Sequence, residues 1–93
     1  MPSSQEYLLY VLDLLRLVPG ITDKKMMGEY LLYKDGVLFG GVYDDRFLVK
    51  KKESIASYGF AEAIPYPSAK PMYLVDLENP SSIAEALEKM FAD

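Results

Sequence analysis

Apolar residues dominate the segment 24–52, which is interrupted by two turn signals, and this pattern predicts three consecutive antiparallel strands. Asp35-Gly36 separates the first two apolar runs. Asp-Gly strongly favours a two-residue hairpin because both turn positions need φ > 0. At Asp44-Asp45 the absence of glycine allows a longer loop or a bulge. The pairs expected from the first turn are Lys34 with Val37, Leu32 with Phe39, and Tyr30 with Gly41.

Side chains alternate between the two faces of a strand, so this register sorts the segment into two sets. Neither set is plainly polar, whereas a sheet with one solvated face should alternate apolar and polar residues. We therefore expect both faces to be covered. One face carries Leu31, Tyr33, Leu38, Val42, Phe47 and Val49. The other carries Tyr30, Leu32, Val37, Phe39, Tyr43 and Leu48, with Lys34, Arg46 and Lys50 among them.

Helix signals flank this meander on both sides. The segment 3–6 has the spacing of a capping box, with Ser3 as the cap, and predicts a helix to about Val18. Asn79-Pro80 predicts the start of a C-terminal helix, because a capping side chain precedes proline at the first helical position. Between them, the pattern predicts a short helix at 51–58, a proline-rich irregular connection and a further strand at 72–75.

The 93 residues are expected to form one domain, 1–93, with a single modest core. The predicted fold class is α+β. An antiparallel sheet of about four to five strands, with the meander first, packs with an N-terminal and a C-terminal helix.

Composition removes several kinds of chemistry. The chain has no cysteine and no histidine, so neither thiolate chemistry nor the commonest general base and transition-metal ligand is available. Its net charge of −4 argues against a protein that coats nucleic acid. The N-terminal apolar run contains Asp13 and Arg16 and lacks a basic start, which predicts neither a signal peptide nor a membrane span. A cytoplasmic location is expected.

Residues 25–36 read KMMGEYLLYKDG, in which a basic residue, methionine and glycine lead into a tyrosine and an Asp-Gly turn. This order resembles the motif at the head of the TfoX (Sxy) N-terminal domain family. Residues 37–39 and 44–50 are similar to the family's second and third strands. Pro71-Met72-Tyr73 and the helix at Asn79-Pro80 fall where the family has its last strand and helix, so the resemblance covers nearly the whole chain.

The resemblance implies the family's compact α+β fold and a regulatory function in bacterial competence or transcription. The excess apolar surface on the first helix and on the second sheet face predicts that the domain acts through protein–protein contacts. The resemblance implies no catalytic residue, so an enzyme is not expected. Met27 stands where the family usually has phenylalanine, and Glu29 and Leu31 replace later glycines. The family's competence regulators carry a second, C-terminal domain, whereas this sequence ends at Asp93. A stand-alone N-terminal-type domain is therefore expected.

The first helix carries more apolar surface than packing on one sheet requires. One interpretation is that the sheet and neighbouring loops grip the helix from several sides. The other is that Tyr10, Leu14 and Leu17 contact a second subunit, which predicts a homodimer. An unidentified protein partner is a further expectation.

The run Lys50-Lys51-Lys52 is the clearest basic feature, and it follows the strand face that carries Tyr30, Tyr43 and Arg46. Aromatic and cationic side chains interleaved on a sheet are typical of proteins that bind single-stranded nucleic acid. The alternative function is accordingly a nucleic-acid accessory protein, with Lys34 as a further phosphate contact. The simpler interpretation is a solvated lysine run at the end of a strand, which the overall acidity favours.

Acidic pairs give no clear prediction of a site. Asp44-Asp45, and Asp76 with Glu78, would need convergent partners to hold a metal or to act as an acid and a base. Residues of these types are common in turns and at strand ends. We expect no catalytic residue, cofactor or metal.

Overall fold

The computed structural model describes residues 3–92 and has the predicted α+β architecture. Along the chain, one helix precedes the strands of an antiparallel sheet and another follows them. The sheet has six strands instead of four to five. The helices are α1 (Gln5–Leu14) and α2 (Pro80–Ala92), and a 3₁₀ helix spans Glu53–Tyr58. The strands are β1 (Ile21–Met26), β2 (Glu29–Lys34), β3 (Val37–Val42), β4 (Phe47–Val49), β5 (Glu62–Ala63) and β6 (Met72–Leu74).

The strands lie in the order β1-β2-β3-β4-β6-β5. The meander therefore contains four consecutive strands, and β6 pairs between β4 and β5. The three predicted strands are present as β2, β3 and β4, but the prediction missed β1, because the chain also turns at Met27-Gly28, within the apolar run. Met27 adopts a φ of 52° there, a conformation that its residue type does not signal.

Each turn of the meander has two residues, and both residues have positive φ, as the type I′ hairpin requires. The Asp44-Asp45 turn is closed by two reciprocal bonds between Tyr43 and Arg46: each backbone N–H donates to the other's carbonyl, at 2.9 and 3.0 Å. The turn thus needs neither a longer loop nor a bulge. The three turns are Met27-Gly28, Asp35-Gly36 and Asp44-Asp45.

A bulge in β3 changes the register between β2 and β3. Lys34 pairs with Val37 as predicted, but Leu32 lies opposite Gly40 and Tyr30 opposite Val42, because Phe39 is an extra residue in β3. The predicted faces are therefore wrong. The face packed against the helices carries Tyr30, Leu32, Phe39, Val42, Phe47 and Val49, all in one core cluster. Leu31, Tyr33, Leu38, Tyr43 and Leu48 fall outside that cluster and form the second face of the sheet.

Helix α1 begins one residue later than predicted. Ser4 is the cap, and its hydroxyl accepts a hydrogen bond from the Tyr7 backbone N–H at 3.1 Å. Ser3 instead bonds to the sheet: its hydroxyl donates to the Glu29 carboxylate at 2.7 Å and accepts from the backbone N–H of Asp45 at 3.1 Å. The regular helix ends at Leu14, and Leu15 and Val18 continue its buried stripe in the following turns.

Helix α2 begins as the sequence predicts. The side-chain oxygen of Asn79 accepts hydrogen bonds from the backbone N–H groups of Ser81 (2.8 Å) and Ser82 (3.3 Å). The helix packs the ring of Phe91 edge-on against Phe39 of the sheet, with 5.8 Å between ring centroids. Its buried residues are Ile83, Ala86, Leu87 and Met90. None of the helices in the part of the chain that the structure describes is long and apolar enough to cross a membrane.

Candidate functional site

The second face of the sheet forms one wall of a cleft of about 620 Å³. The proline-rich segment 65–72 forms the opposite wall. Such a volume is typical of small-ligand pockets and admits a few side chains of a bound peptide. The lining residues are Leu38, Gly40, Tyr43, Lys50, Lys51, Pro65, Tyr66, Ala69, Lys70, Pro71 and Met72.

Two tyrosines face each other across this cleft. The ring centroids of Tyr43 and Tyr66 are 6.3 Å apart with an angle of 53° between the planes. Tyr43 is 8% exposed, whereas Tyr66 is 59% exposed at the mouth. Burial, followed by the nearby Tyr66 and Glu29, raises the pKa of the Tyr43 hydroxyl above its ordinary value of 10.0. The hydroxyl is therefore protonated at neutral pH and can donate a hydrogen bond.

Arg46 attaches the outer wall of the cleft to the sheet. Its Nη2 donates to the carbonyl of Ile64 at 3.2 Å, and its Nε donates to the carbonyl of Tyr43 at 3.1 Å. A turn between Tyr66 and Ala69, with a 3.1 Å backbone bond, keeps the segment compact. The guanidinium thus positions the segment, and much of its donor capacity is used within the protein.

Three lysines line the cleft, but they are not equivalent. Lys51 Nζ lies 3.0 Å from Glu62 Oε2 and 5.7 Å from the centre of the Tyr73 ring. The hydrogen bond with Glu62 raises the pKa of Lys51 and keeps the ammonium charged, while the carboxylate offsets that charge. Lys50 and Lys70 have no ion-pair partner among residues 3–92. These two ammonium groups are available to an anionic ligand.

The structure brings only part of the predicted basic surface together. Tyr43, Lys50 and Lys51 line the cleft and Arg46 supports it, but Tyr30 is buried in the core on the opposite face, so the predicted shared face is wrong. Lys34 also lies on that opposite side, 5.2 Å from the Phe91 ring centre. Lys52 lines a separate hollow beside Met90 and Phe91.

The predicted subunit surface on α1 is divided as well. Leu14 is buried, with 7% exposure, and contributes mainly to the core. Tyr10 is 44% exposed and lies beside Tyr7, with 5.5 Å between ring centroids. Leu17 is 55% exposed but lines a different hollow, which includes Pro19. Tyr10 and Leu17 are therefore not parts of one surface cluster.

Sequence reasoning missed Tyr66, Lys70 and Met72. Tyr66 and Lys70 lie in the segment that was expected only to be an irregular connection, and Met72 begins the predicted strand at 72–75, for which no site was expected. One signal could have found them: an apolar second sheet face needs cover, and a proline-rich segment directly before a strand is a candidate for it. No group of His, Cys, Asp or Glu suited to hold a metal ion occurs among residues 3–92.

No known protein-family model matches this chain, and no curated protein matches it significantly.

Proposed function

We propose that this chain is a non-enzymatic regulatory domain of the TfoX N-terminal type, which acts in competence or transcription through protein–protein contacts. In this proposal the cleft on the second sheet face binds an acidic, partly apolar segment of a partner protein. The observation that carries the proposal is an aromatic cleft with two lysines, Lys50 and Lys70, that have no ion-pair partner among residues 3–92, in a chain whose net charge is −4.

The cleft suits such a segment chemically. Leu38, Tyr43 and Met72 offer apolar surface on which a partner side chain can be buried, which is the main source of favourable binding energy. Lys50 and Lys70 offer positive charge, so an acidic segment is steered towards the cleft and orients within it. Tyr43, a lining residue, also carries a hydroxyl that is protonated at neutral pH and can donate a hydrogen bond.

The test is a titration of the protein against a short fluorescein-labelled peptide in which phenylalanine and leucine lie between glutamates. We expect saturable binding by the wild type, with an affinity for the peptide that is several-fold lower in K50Q and in K70Q. K89Q is the matched control, because Lys89 lies on α2 near Glu85 and loses the same charge outside the cleft. If K89Q weakened binding as much as K50Q, the site would be wrong, and absence of saturable binding would refute the proposal.

A nucleic-acid accessory function is the second candidate, and one observation favours it. Tyr66 is 59% exposed at the cleft mouth, which Lys50 and Lys70 also line, so a base could stack on its ring while the lysines contact phosphates. Anisotropy titrations with labelled single- and double-stranded DNA, at low and then raised salt, test it. Saturable, salt-sensitive binding of the single strand that survives in Tyr66→Phe and is lost in Tyr66→Ser would support this function. Absence of binding at low salt would remove it.

A further inference from the structure

The tip of the β1–β2 hairpin exposes an apolar side chain at a strained backbone position. Met27 is 97% exposed and has a φ of 52°, a region that favours glycine, asparagine or aspartate. Its neighbour Met26 is 44% exposed. The monomer gains almost no packing from Met27 in return for the strain. The type I′ turn requires the positive φ, but it does not require an apolar side chain at this position. An apolar side chain that is exposed and gains no packing in the monomer points to a contact outside it.

Two lysines accompany this tip. Lys24 and Lys25 are exposed on β1, the edge strand of the sheet. Neither has an ion-pair partner within the described part of the chain, 3–92. Because side chains alternate along a strand, Lys24 and Lys25 leave opposite faces of β1, and the hairpin tip presents flexible apolar side chains flanked by one positive charge on each face. Its complement would be an apolar cavity edged by carboxylates.

The chain itself contains such a cavity. A cleft of about 350 Å³ lies between α1 and the segment that joins β6 to α2. Tyr7, Tyr10 and Leu77 give it apolar surface, and Asp76 and Glu78 are exposed along it. Neither of these carboxylates has an ion-pair partner among residues 3–92. Arg46 also lines the cleft, but its guanidinium donates to backbone carbonyls.

The tip and this acidic cleft lie at the same end of the molecule. The Met27-Gly28 and Asp44-Asp45 turns are both at that end of the meander, and Glu29 joins them by accepting a hydrogen bond from the Asp44 N–H at 3.2 Å. Asp45, in the second of these turns, lines the cleft. Met27 does not occupy the cleft of its own chain, since it is almost fully exposed.

We propose that two copies of this chain form a two-fold symmetric dimer in which the Met26-Met27 tip of each copy enters the acidic cleft of the other. Lys24 and Lys25 then face Asp76 and Glu78 of the second copy. Because a two-fold axis applies the same contact twice, a tip and a cleft at one end of the molecule suffice for a closed assembly. The dimer extends the proposed function and leaves free the cleft on the second sheet face, here called the sheet-face cleft. Either proposal can therefore fail without the other.

The first experiment measures molar mass by light scattering and sedimentation over a range of concentrations. We expect a reversible monomer–dimer equilibrium in the wild type. Met27→Asn should raise the dimer dissociation constant about tenfold or more, because it removes a buried apolar side chain from the interface. Met27→Leu keeps an apolar side chain and should retain the dimer. Asparagine tolerates positive φ, so the fold of the first variant is preserved. A wild type that stays monomeric at every concentration overturns the proposal.

A charge exchange makes the partner surfaces identifiable. K24E/K25E and D76K/E78K should each weaken the dimer by placing like charges opposite each other. The variant with all four changes restores the complementarity and the wild-type net charge, so the dimer should return. Lys52→Glu is the control, since Lys52 lies outside both surfaces. If the four changes together weaken the dimer further instead of restoring it, or if Lys52→Glu weakens it equally, the assigned contact is wrong. Circular dichroism verifies that each variant is folded.

Discussion

The Glu29 carboxylate accepts a hydrogen bond from the Ser3 hydroxyl at 2.7 Å, although 26 positions separate the two residues in sequence. The same carboxylate accepts from the backbone N–H groups of Ser3 at 3.0 Å and of Asp44 at 3.2 Å. Beside it, Asp45 accepts from the Ser4 N–H at 2.8 Å. Glu29 thus connects the segment that begins α1 to the Asp44-Asp45 turn of the sheet.

Glu29→Ala should lower the free energy of unfolding by about 2 kcal/mol, because it leaves several donors without their charged acceptor. For a domain of this size that loss lowers Tm by about 10 °C. Thermal denaturation followed by circular dichroism measures the change. Glu88→Ala is the control, since Glu88 is exposed on α2. Equal Tm values for the two variants would contradict this role of Glu29.

Gly40→Ala should be far more damaging than Gly36→Ala. A Cβ at Gly40 would collide with the carbonyl oxygen of Leu48 and the Cα of Val49, which are backbone atoms that cannot rotate away. We expect a cost of about 3 kcal/mol or more. At Gly36 a Cβ meets nothing within 4 Å, and only the positive φ of 81° is unfavourable, at about 1–2 kcal/mol. Urea unfolding of both variants compares the costs, and a smaller loss at Gly40 would show that the strands can separate there.

The stability of the protein should decline as the pH rises above 10.0. Burial raises the pKa of Tyr43 in the folded state, so the unfolded chain loses this proton first. The contribution of Tyr43 is complete below the unfolded pKa and is lost as the pH rises through the folded pKa. Tyr43→Phe should make the decline shallower. Part of the decline in stability should remain in this variant, because burial also raises the pKa of Tyr7. Urea unfolding across this pH range measures both curves, and identical slopes would contradict the prediction.

Met27→Asn should raise the unfolding free energy of the monomer by roughly 0.5–1 kcal/mol, since asparagine adopts a positive φ more readily and no packing is lost. The measurement is thermal unfolding at low protein concentration, where dimer formation does not add to the stability. Met27→Ala removes the same side chain without relieving the strain and serves as the control. If asparagine and alanine gave the same Tm, backbone strain at this position would be negligible.

The local signals predicted much of the fold because they reside in single residues. Asp35-Gly36 and Asn79-Pro80 mark their turn and helix start by residue type alone. The bulge at Phe39 carries no such signal. It is favoured by tertiary packing, which places Phe39 and Val42 against the helices in a way that the simple two-residue alternation did not anticipate. The turn at Met27 escaped prediction for a related reason, since methionine is an unusual residue at positive φ.

The candidate site was only partly predictable. Lys50 and Lys51 were evident as a run, and Tyr43 as a strand residue near them. Tyr66 and Lys70 reach the same cleft only through the path of the proline-rich segment, which Arg46 fixes by bonding the Ile64 carbonyl. That path is a long-range property, so no local pattern reveals it.

The meander also has a consequence for the order in which the chain folds. Its two-residue turns bring β1 to β4 together through contacts between near neighbours in sequence, so little loop-closure entropy opposes their pairing. The pairing of β6 with β4 joins Leu74 to Leu48 and must close a much longer stretch of chain. We therefore expect the first four strands to form the folding nucleus. The outer wall of the sheet-face cleft would then assemble in the last step of folding and open in the first step of unfolding.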